Sequence, residues 1–366
     1  MSVLRRMTSY DDDIDFRKVW RVGTTISLCV LLACILGIVV RDLELGIDFE
    51  GGTSWEVPSE TLSVDDARDA LEPTGQGDAR VQAIGRGDAR VVRVQSTADD
   101  LETQVAVSEA LAEAADVDVD DIGVSTVGPS WGEQVTDKAV RALVWFFIAI
   151  TLYITWRLEW KMAVGALASV IHDLIISVGI YALFQVEITP ATVIAFLTIL
   201  GYSLYDTIVV FDRMQENSAR LSATGRFTYT DVVSRSLNQV LMRSVNTTIA
   251  ALLPVLSMLF VGSYLMGAVA LEEFALALTV GLTVGAFSSI LIASPVVVLL
   301  KEREPRNRQI RERLAGQRGP VEDPLDADAD ADVVGAAPTP RRAPADGPAP
   351  SGRAIPPRPR KKGKRP

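Results

Sequence analysis

Six long apolar runs constrain this chain more than any other feature. They extend approximately from Val22 to Val40, Ala142 to Trp156, Met162 to Phe184, Ala191 to Phe211, Val245 to Tyr264 and Phe274 to Leu300. A helix of about 20 such residues crosses a hydrocarbon core of about 30 Å with every backbone polar group bonded internally. The second run is short, and Arg141 at its outer end is expected to snorkel toward the interface. The 48% apolar content therefore reads as a polytopic α-helical membrane protein with six transmembrane helices, not as several soluble cores.

Lysines and arginines in short connections set the orientation, because they resist translocation. Arg5, Arg6, Arg17, Lys18 and Arg21 precede the first run, and Arg157 and Lys161 fill the turn after the second. Further basic residues lie between Arg213 and Arg243 and from Lys301 onward. The opposing connections, Gln185 to Thr189 and Leu265 to Glu273, carry no Lys or Arg, and only Lys138 and Arg141 break the pattern. Both termini are thus expected in the cytoplasm of a multi-pass plasma-membrane protein.

The formal charge of −10 arises mainly from acidic residues between the first two runs and in the tail, and it gives no nucleic-acid signal. Cys29 and Cys34 both lie inside the first run, where small apolar packing is the default role and a disulfide framework has no place. Leu31-Leu32-Ala33-Cys34 has the outline of a lipoprotein cleavage box, but the apolar run continues through Ile35 to Val40, so the segment reads as a retained anchor.

The organisation expected is a cytoplasmic N-terminus over residues 1–21, a first span over 22–40, an extracytoplasmic domain over 41–138, and spans two to six over 139–300. A cytoplasmic loop over 212–244 interrupts those spans, and a disordered tail covers 301–366. Within 41–138 the pattern predicts strands at Ile47 to Val57, Arg80 to Ile84, Val91 to Gln95 and Ile122 to Val127, with a turn at Gly85-Arg86-Gly87. Helices are predicted at Val64 to Leu71 and Leu101 to Ala114. The order βαββαβ is that of a ferredoxin-like α+β domain. Asp231 to Met242 is expected as an amphipathic helix along the membrane surface. The tail ends in a basic Pro-Arg-Lys stretch suited to solvent or to anionic lipid headgroups.

An ionisable side chain at the centre of a span costs about 2.5 to 3.5 kcal/mol, so each one needs a partner or a task. His172, the only histidine, and Asp173 sit midway along the third run, and Asp206 lies in the fourth. Asp206 is about 7.5 Å of helix rise from the run's cytoplasmic end, within reach of Arg243 at the start of the fifth run. Apolar surroundings favour a protonated carboxyl and a nearby guanidinium favours an ionised one, so movement of the Arg would toggle proton uptake and release. A proton crossing about 150 mV supplies about 3.5 kcal/mol, enough to bias a conformational equilibrium a few hundredfold. The plainer reading makes Asp206, Tyr202 and Ser203 interhelical hydrogen-bonding groups. Successive helical residues point about 100° apart, so His172 and Asp173 are not expected to face one site together. Asn238, Gln239, Asn246, Thr247 and Thr248 are candidate supporting polar groups, and Gly281 with Gly285 forms a small-xxx-small packing pair.

Three strings carry a family resemblance. Gly46-Ile47-Asp48-Phe49-Glu50-Gly51-Gly52-Thr53 follows the first run, and Val127-Gly128-Pro129-Ser130-Trp131-Gly132 precedes the second. Gly201-Tyr202-Ser203-Leu204-Tyr205-Asp206-Thr207-Ile208-Val209-Val210-Phe211-Asp212-Arg213 occupies the fourth. In this order the chain resembles the SecD/SecF protein-export family of the resistance-nodulation-division superfamily over nearly all its length before the tail. The signature positions are Asp48, Gly51, Gly52, Thr53, Gly128, Pro129 and Gly201. The resemblance implies half of a proton-driven auxiliary complex that promotes preprotein translocation through the Sec channel. It further implies Asp206 as the proton-responsive carboxylate, Arg243 as its switching partner, and His172 with Asp173 as a recurring pair. The partners implied are SecD as the complementary half, the SecYEG channel with accessory proteins, unfolded preproteins and lipids, with no cofactor or metal and no enzymatic step. Tyr205 stands where a small polar Asn is expected and Glu273 where Gly is usual, and the charged tail lies outside the common pattern.

Two other readings use the same carboxylates. A proton-coupled efflux pump of the same superfamily normally carries both six-span halves and larger external domains on one chain. An intramembrane aspartyl protease needs two carboxylates on neighbouring spans, which Asp173 and Asp206 supply, but no Gly-x-Gly-Asp motif accompanies them.

Overall fold

The computed structural model describes residues 14–316 apart from 86, 88–89, 99, 222–224 and 267. The residues Arg5, Arg6 and Arg86 and the tail after 316 lie outside the described residues.

Helix α1 (Phe16–Arg41) starts well before the predicted span, because Asp15 caps its N-terminus and Phe16 and Trp20 are buried between neighbouring helices. The chain then makes one helical turn, α2 (Ile47–Glu50), where a strand was expected. Gly51 and Gly52 follow at φ 85° and 134°, and these two turn the chain out of α2 into β1 (Gly52–Pro58).

The sheet domain continues through α3 (Val64–Leu71), β2 (Arg80–Ile84), β3 (Val91–Ser96), α4 (Leu101–Ala115) and β4 (Gly123–Val127). Its strands are antiparallel in the order β2-β3-β1-β4. Ser63 caps α3 and Asp100 caps α4 by accepting from the backbone N–H three residues on, which fixes where each helix begins. Trp55, Val57, Val92 and Val94 meet Leu71, Val107 and Leu111 in the domain's core, and the Trp55 indole donates to Ser108 at 3.1 Å. Side chains alternate across a strand, so Glu56, Arg93 and Gln95 point to the opposite face.

Helices α5 (Pro129–Arg157), α6 (Trp160–Phe184), α7 (Pro190–Leu221) and α8 (Tyr229–Met258) follow. The last span is built from α9 (Val269–Ser288), a π-helical stretch at Ser289–Ala293 and α10 (Ser294–Glu302). With α1 these make six helices long and apolar enough to cross a membrane. Large apolar side chains such as Val39, Trp145 and Leu152 remain exposed on α1 and α5, as lipid-facing surfaces require.

Three boundaries differ from the sequence expectation. Span two belongs to one uninterrupted helix that already begins at Pro129, so the sheet domain runs into that helix without a connecting loop. Asp231 to Met242 is not a separate surface helix but the first part of α8, which a Thr228–Asp231 capping box starts and which has no internal Pro before Pro254. Residues 212–244 are thus mainly the ends of two long helices. The expected disordered tail begins with a helix, α11 (Pro305–Ala315), which Pro305 starts and an Arg308–Glu312 pair at 2.9 Å supports.

The two outer signature strings pack on each other. A Cβ at Gly132 would lie 2.6 Å from the Phe49 carbonyl oxygen, and one at Gly51 would lie 2.8 Å from Pro129 Cα. Within the bundle, a Cβ at Gly281 would sit 2.2 Å from Ile199, so its absence lets α9 lie against α7.

Candidate functional site

The proline at position 295 explains the local shape of the last span. It has no N–H, so carbonyls one turn earlier lose their helical donor. The Ile290 carbonyl accepts from the Trp20 indole at 3.0 Å and the Leu291 carbonyl from Thr24 at 3.1 Å, both from α1. Ser294 Oγ bonds the Ser289 carbonyl at 2.9 Å. The widened turn ties the last span to α1 and presents Ser288 and Ser289 toward α6 and α7.

Both serines reach carboxylates. Ser289 Oγ donates to Asp206 Oδ2 at 2.7 Å, and Ser244 Oγ, from α8, donates to Asp206 Oδ1 at 2.8 Å. Ser288 Oγ donates to Asp173 Oδ2 at 2.7 Å, Ser203 bonds the same oxygen, and Ser169 donates to Ser288 at 2.9 Å. His172 Nδ1 lies 3.1 Å from Asp173 Oδ1, and its Nε2 lies 2.5 Å from Ser27 Oγ on α1. Asp173 is fully buried, whereas Asp206 is partly accessible. A buried carboxylate persists in such a setting when several donors surround it.

Asp206 borders a crevice of about 30 Å³, room for a water molecule, lined also by Tyr202, Ser203, Tyr205, Thr247 and Thr248. Tyr202 and Tyr205 are 51% and 56% exposed on this side of the chain.

Of the expected residues, the structure brings Asp206, Ser203, His172 and Asp173 into one polar layer. His172 faces α1 while Asp173 faces α7 and the last span, in keeping with their angular separation, yet their side chains also touch. Arg243 is exposed and makes no ion pair with Asp206 among the described residues; the position beside Asp206 that it was expected to fill is taken by its neighbour Ser244. Thr247 and Thr248 bond back to the Arg243 and Ser244 carbonyls, and Asn246 is exposed. Asn238 and Gln239 lie elsewhere: Asn238 pairs with the backbone of Ile14, and Gln239 accepts from Asn217 and Arg213. Sequence reasoning missed Ser27, Ser169, Ser244, Ser288 and Ser289. The Ser288-Ser289 pair inside an apolar run, shortly before Pro295, was the available signal.

The comparisons agree with this architecture. Residues 106–303 match the family model described as protein export membrane protein SecD/SecF, C-terminal. The protein translocase subunit SecF of Streptomyces coelicolor is 41% identical over 84% of this chain and 81% of that protein. Its Mycobacterium tuberculosis counterpart is 36% identical over 82% of this chain and 70% of that one. The crystal structure of SecDF, a translocon-associated membrane protein from Thermus thermophilus, superposes with a TM-score of 0.71 at 33% identity. That match covers 80% of this chain, which spans 39% of the SecDF chain. With six spans, a small sheet domain and relatives named as translocase subunits, this multi-pass membrane protein belongs to the SecD/SecF protein-export family.

Proposed function

We propose that the chain is one half of a proton-driven complex that promotes preprotein translocation through the Sec channel across the plasma membrane. SecD supplies the complementary six spans, and Asp206 carries the coupling proton. The observation that carries this reading is the carboxylate of Asp206, held by Ser244 and Ser289 beside a crevice on a face where Tyr202 and Tyr205 stand exposed. A carboxylate with two hydroxyl donors and a path to water can hold its charge and can also take up a proton. Arg243 immediately precedes Ser244, so a change in its side-chain position brings the guanidinium toward Asp206 without moving the helix. Covering this face with a second half would exclude solvent and strengthen that attraction.

In this reading both termini are cytoplasmic. The segment 41–138 is an extracytoplasmic ferredoxin-like domain, for which the strand order β2-β3-β1-β4 is the support. The SecDF match, which covers 39% of that chain, supports SecD as partner. Channel, preproteins and lipids follow from the family role. Purifying the tagged chain in mild detergent and identifying what co-elutes tests the assembly. A SecD-like chain is expected, and a pure protein with no such partner would overturn the reading in favour of an independent pump.

A further inference from the structure

The face of the sheet turned away from its helices carries a second group of charges that the Asp206 layer does not use. Arg93 on β3, with a side chain only 12% exposed, lies 2.7 Å from Glu273 on α9, 3.2 Å from Glu56 on β1 and 3.9 Å from Glu187 in the connection between α6 and α7. Gln95, two residues along the same strand, donates to Glu187 Oε1 at 2.8 Å. Asp48 on α2 adds a further negative charge near Glu273 and Arg93. Arg80 on β2 acts on Glu187 from farther off, and its guanidinium is shared between Glu44 at 2.9 Å and the Gln185 carbonyl at 2.7 Å.

Two features mark this contact as incomplete. Glu187, 5% exposed, leaves Oε2 without a hydrogen bond, and Arg93 Nε has none either. Three carboxylates surround one guanidinium, so the interface holds more negative charge than Arg93 balances. A buried charge without full pairing is costly, and the group relieves the cost by taking a proton. The backbone also closes tightly here: a Cβ at Gly46 would lie 2.5 Å from Glu187 Oε1, and Gly46 N–H bonds the Ile188 carbonyl at 3.0 Å.

We infer that Glu187 is a second proton-binding site, on the outer side of the membrane, whose protonation latches the sheet domain onto the α6–α7 connection and the start of α9. Burial pushes the Glu187 carboxyl up, the Gln95 bond and Arg93 oppose that, and Glu273 adds to the rise. The docked carboxyl therefore holds its proton more tightly than a solvated one. Docking is favoured at low pH and weakens as pH rises through the docked group's titration. Under a proton gradient the outer face is the acid side, so the gradient itself closes the latch. This gives the unusual Glu273 a role: it anchors Arg93 and keeps the cluster short of positive charge.

The inference rests on the outward placement of the sheet domain proposed above. The test is a distance measurement by spin-label pulsed resonance on the full chain with SecD in lipid nanodiscs. Labels sit at Glu113→Cys on α4 and Phe184→Cys at the end of α6, with Cys29→Ser and Cys34→Ala removing the native thiols. A severalfold rise in a longer-distance population is expected on going from a mildly acidic to a mildly alkaline buffer, because the raised Glu187 carboxyl gives up its proton as pH rises. Glu187→Gln should hold the short distance at both, and Arg93→Ala should show the long one at both. The infrared difference spectrum between the two pH values should contain a carboxyl component that Glu187→Gln removes, beside any contributed by Asp206 and Asp48. An unchanged distance in the parent chain, a Glu187→Gln chain that still responds to pH, or an infrared difference spectrum that Glu187→Gln leaves unaltered would overturn the latch. The Asp206→Asn chain should keep the full response, so failure here and failure of the Asp206 reading are separate results.

Discussion

Ser288 and Ser289 are consecutive residues of the last span, yet their hydroxyls serve different carboxylates, Ser288 reaching Asp173 and Ser289 reaching Asp206, each at 2.7 Å. The π-helical stretch that begins at Ser289 directs the two neighbours toward α6 and α7 respectively. Any axial slide or rotation of this span disturbs both carboxylates together. The fully buried Asp173 is thereby tied to the same element as the partly accessible Asp206.

Ser289→Ala and Ser244→Ala should each lower proton-driven export, since hydrogen bonds to a charged group contribute about 1.5 to 3 kcal/mol. Combining either with Asp206→Asn should add little beyond Asp206→Asn alone, because the residues act as one unit. Export rates for the single and double variants check this, and additive losses would count against it.

Asp173→Ala should destabilise the bundle more than it alters coupling. It strands the Ser203 hydroxyl and leaves the His172 ring nitrogen without its carboxylate, whereas Ser288 keeps the Gly285 carbonyl at 3.2 Å; a buried polar group left unpaired costs about 1 to 3 kcal/mol. Thermal unfolding of the detergent-solubilised protein should show a clear drop, with Ser288→Ala giving a smaller one.

How much of this the sequence revealed differs by layer. The spans were legible because an apolar run of that length has no other stable home, and the sheet domain because its strands and helices keep clean periods of 2 and 3.6. The caps at Ser63 and Asp100 that fix the helix starts came from the structure and not from the periodicity. The α2 turn was hidden because Ile47 to Phe49 alternates like a strand, and the positive φ angles that redirect the chain belong to glycines that fit a bulge equally well. The partners of Asp206 were not legible, since serine is common in membrane helices and only three-dimensional register selects Ser244 and Ser289. Glu273 read as a departure from the family pattern until Arg93, 180 positions away, supplied its partner.

Gly281→Val should push the fourth and sixth spans apart. The first added carbon would fall 2.2 Å from Ile199, and overpacking of this kind costs about 1 to 3 kcal/mol. Lower yield of folded protein and a reduced melting temperature are expected, with Gly281→Ala intermediate.

Arg243→Ala should impair the proton cycle while leaving the fold intact, because this side chain is exposed and its removal unpairs nothing buried. Membrane insertion and melting temperature should match the parent chain, and proton-dependent export should fall.

Asp206 is expected to couple a proton to export. The most direct test is preprotein export in membrane vesicles under an imposed proton gradient alone and then a sodium gradient alone, comparing the parent chain with Asp206→Asn. Stimulation by the proton gradient is expected, and Asp206→Asn should abolish it while the protein remains in the membrane. Full proton-driven export by Asp206→Asn, or stimulation of the parent chain by sodium and not by protons, would contradict it.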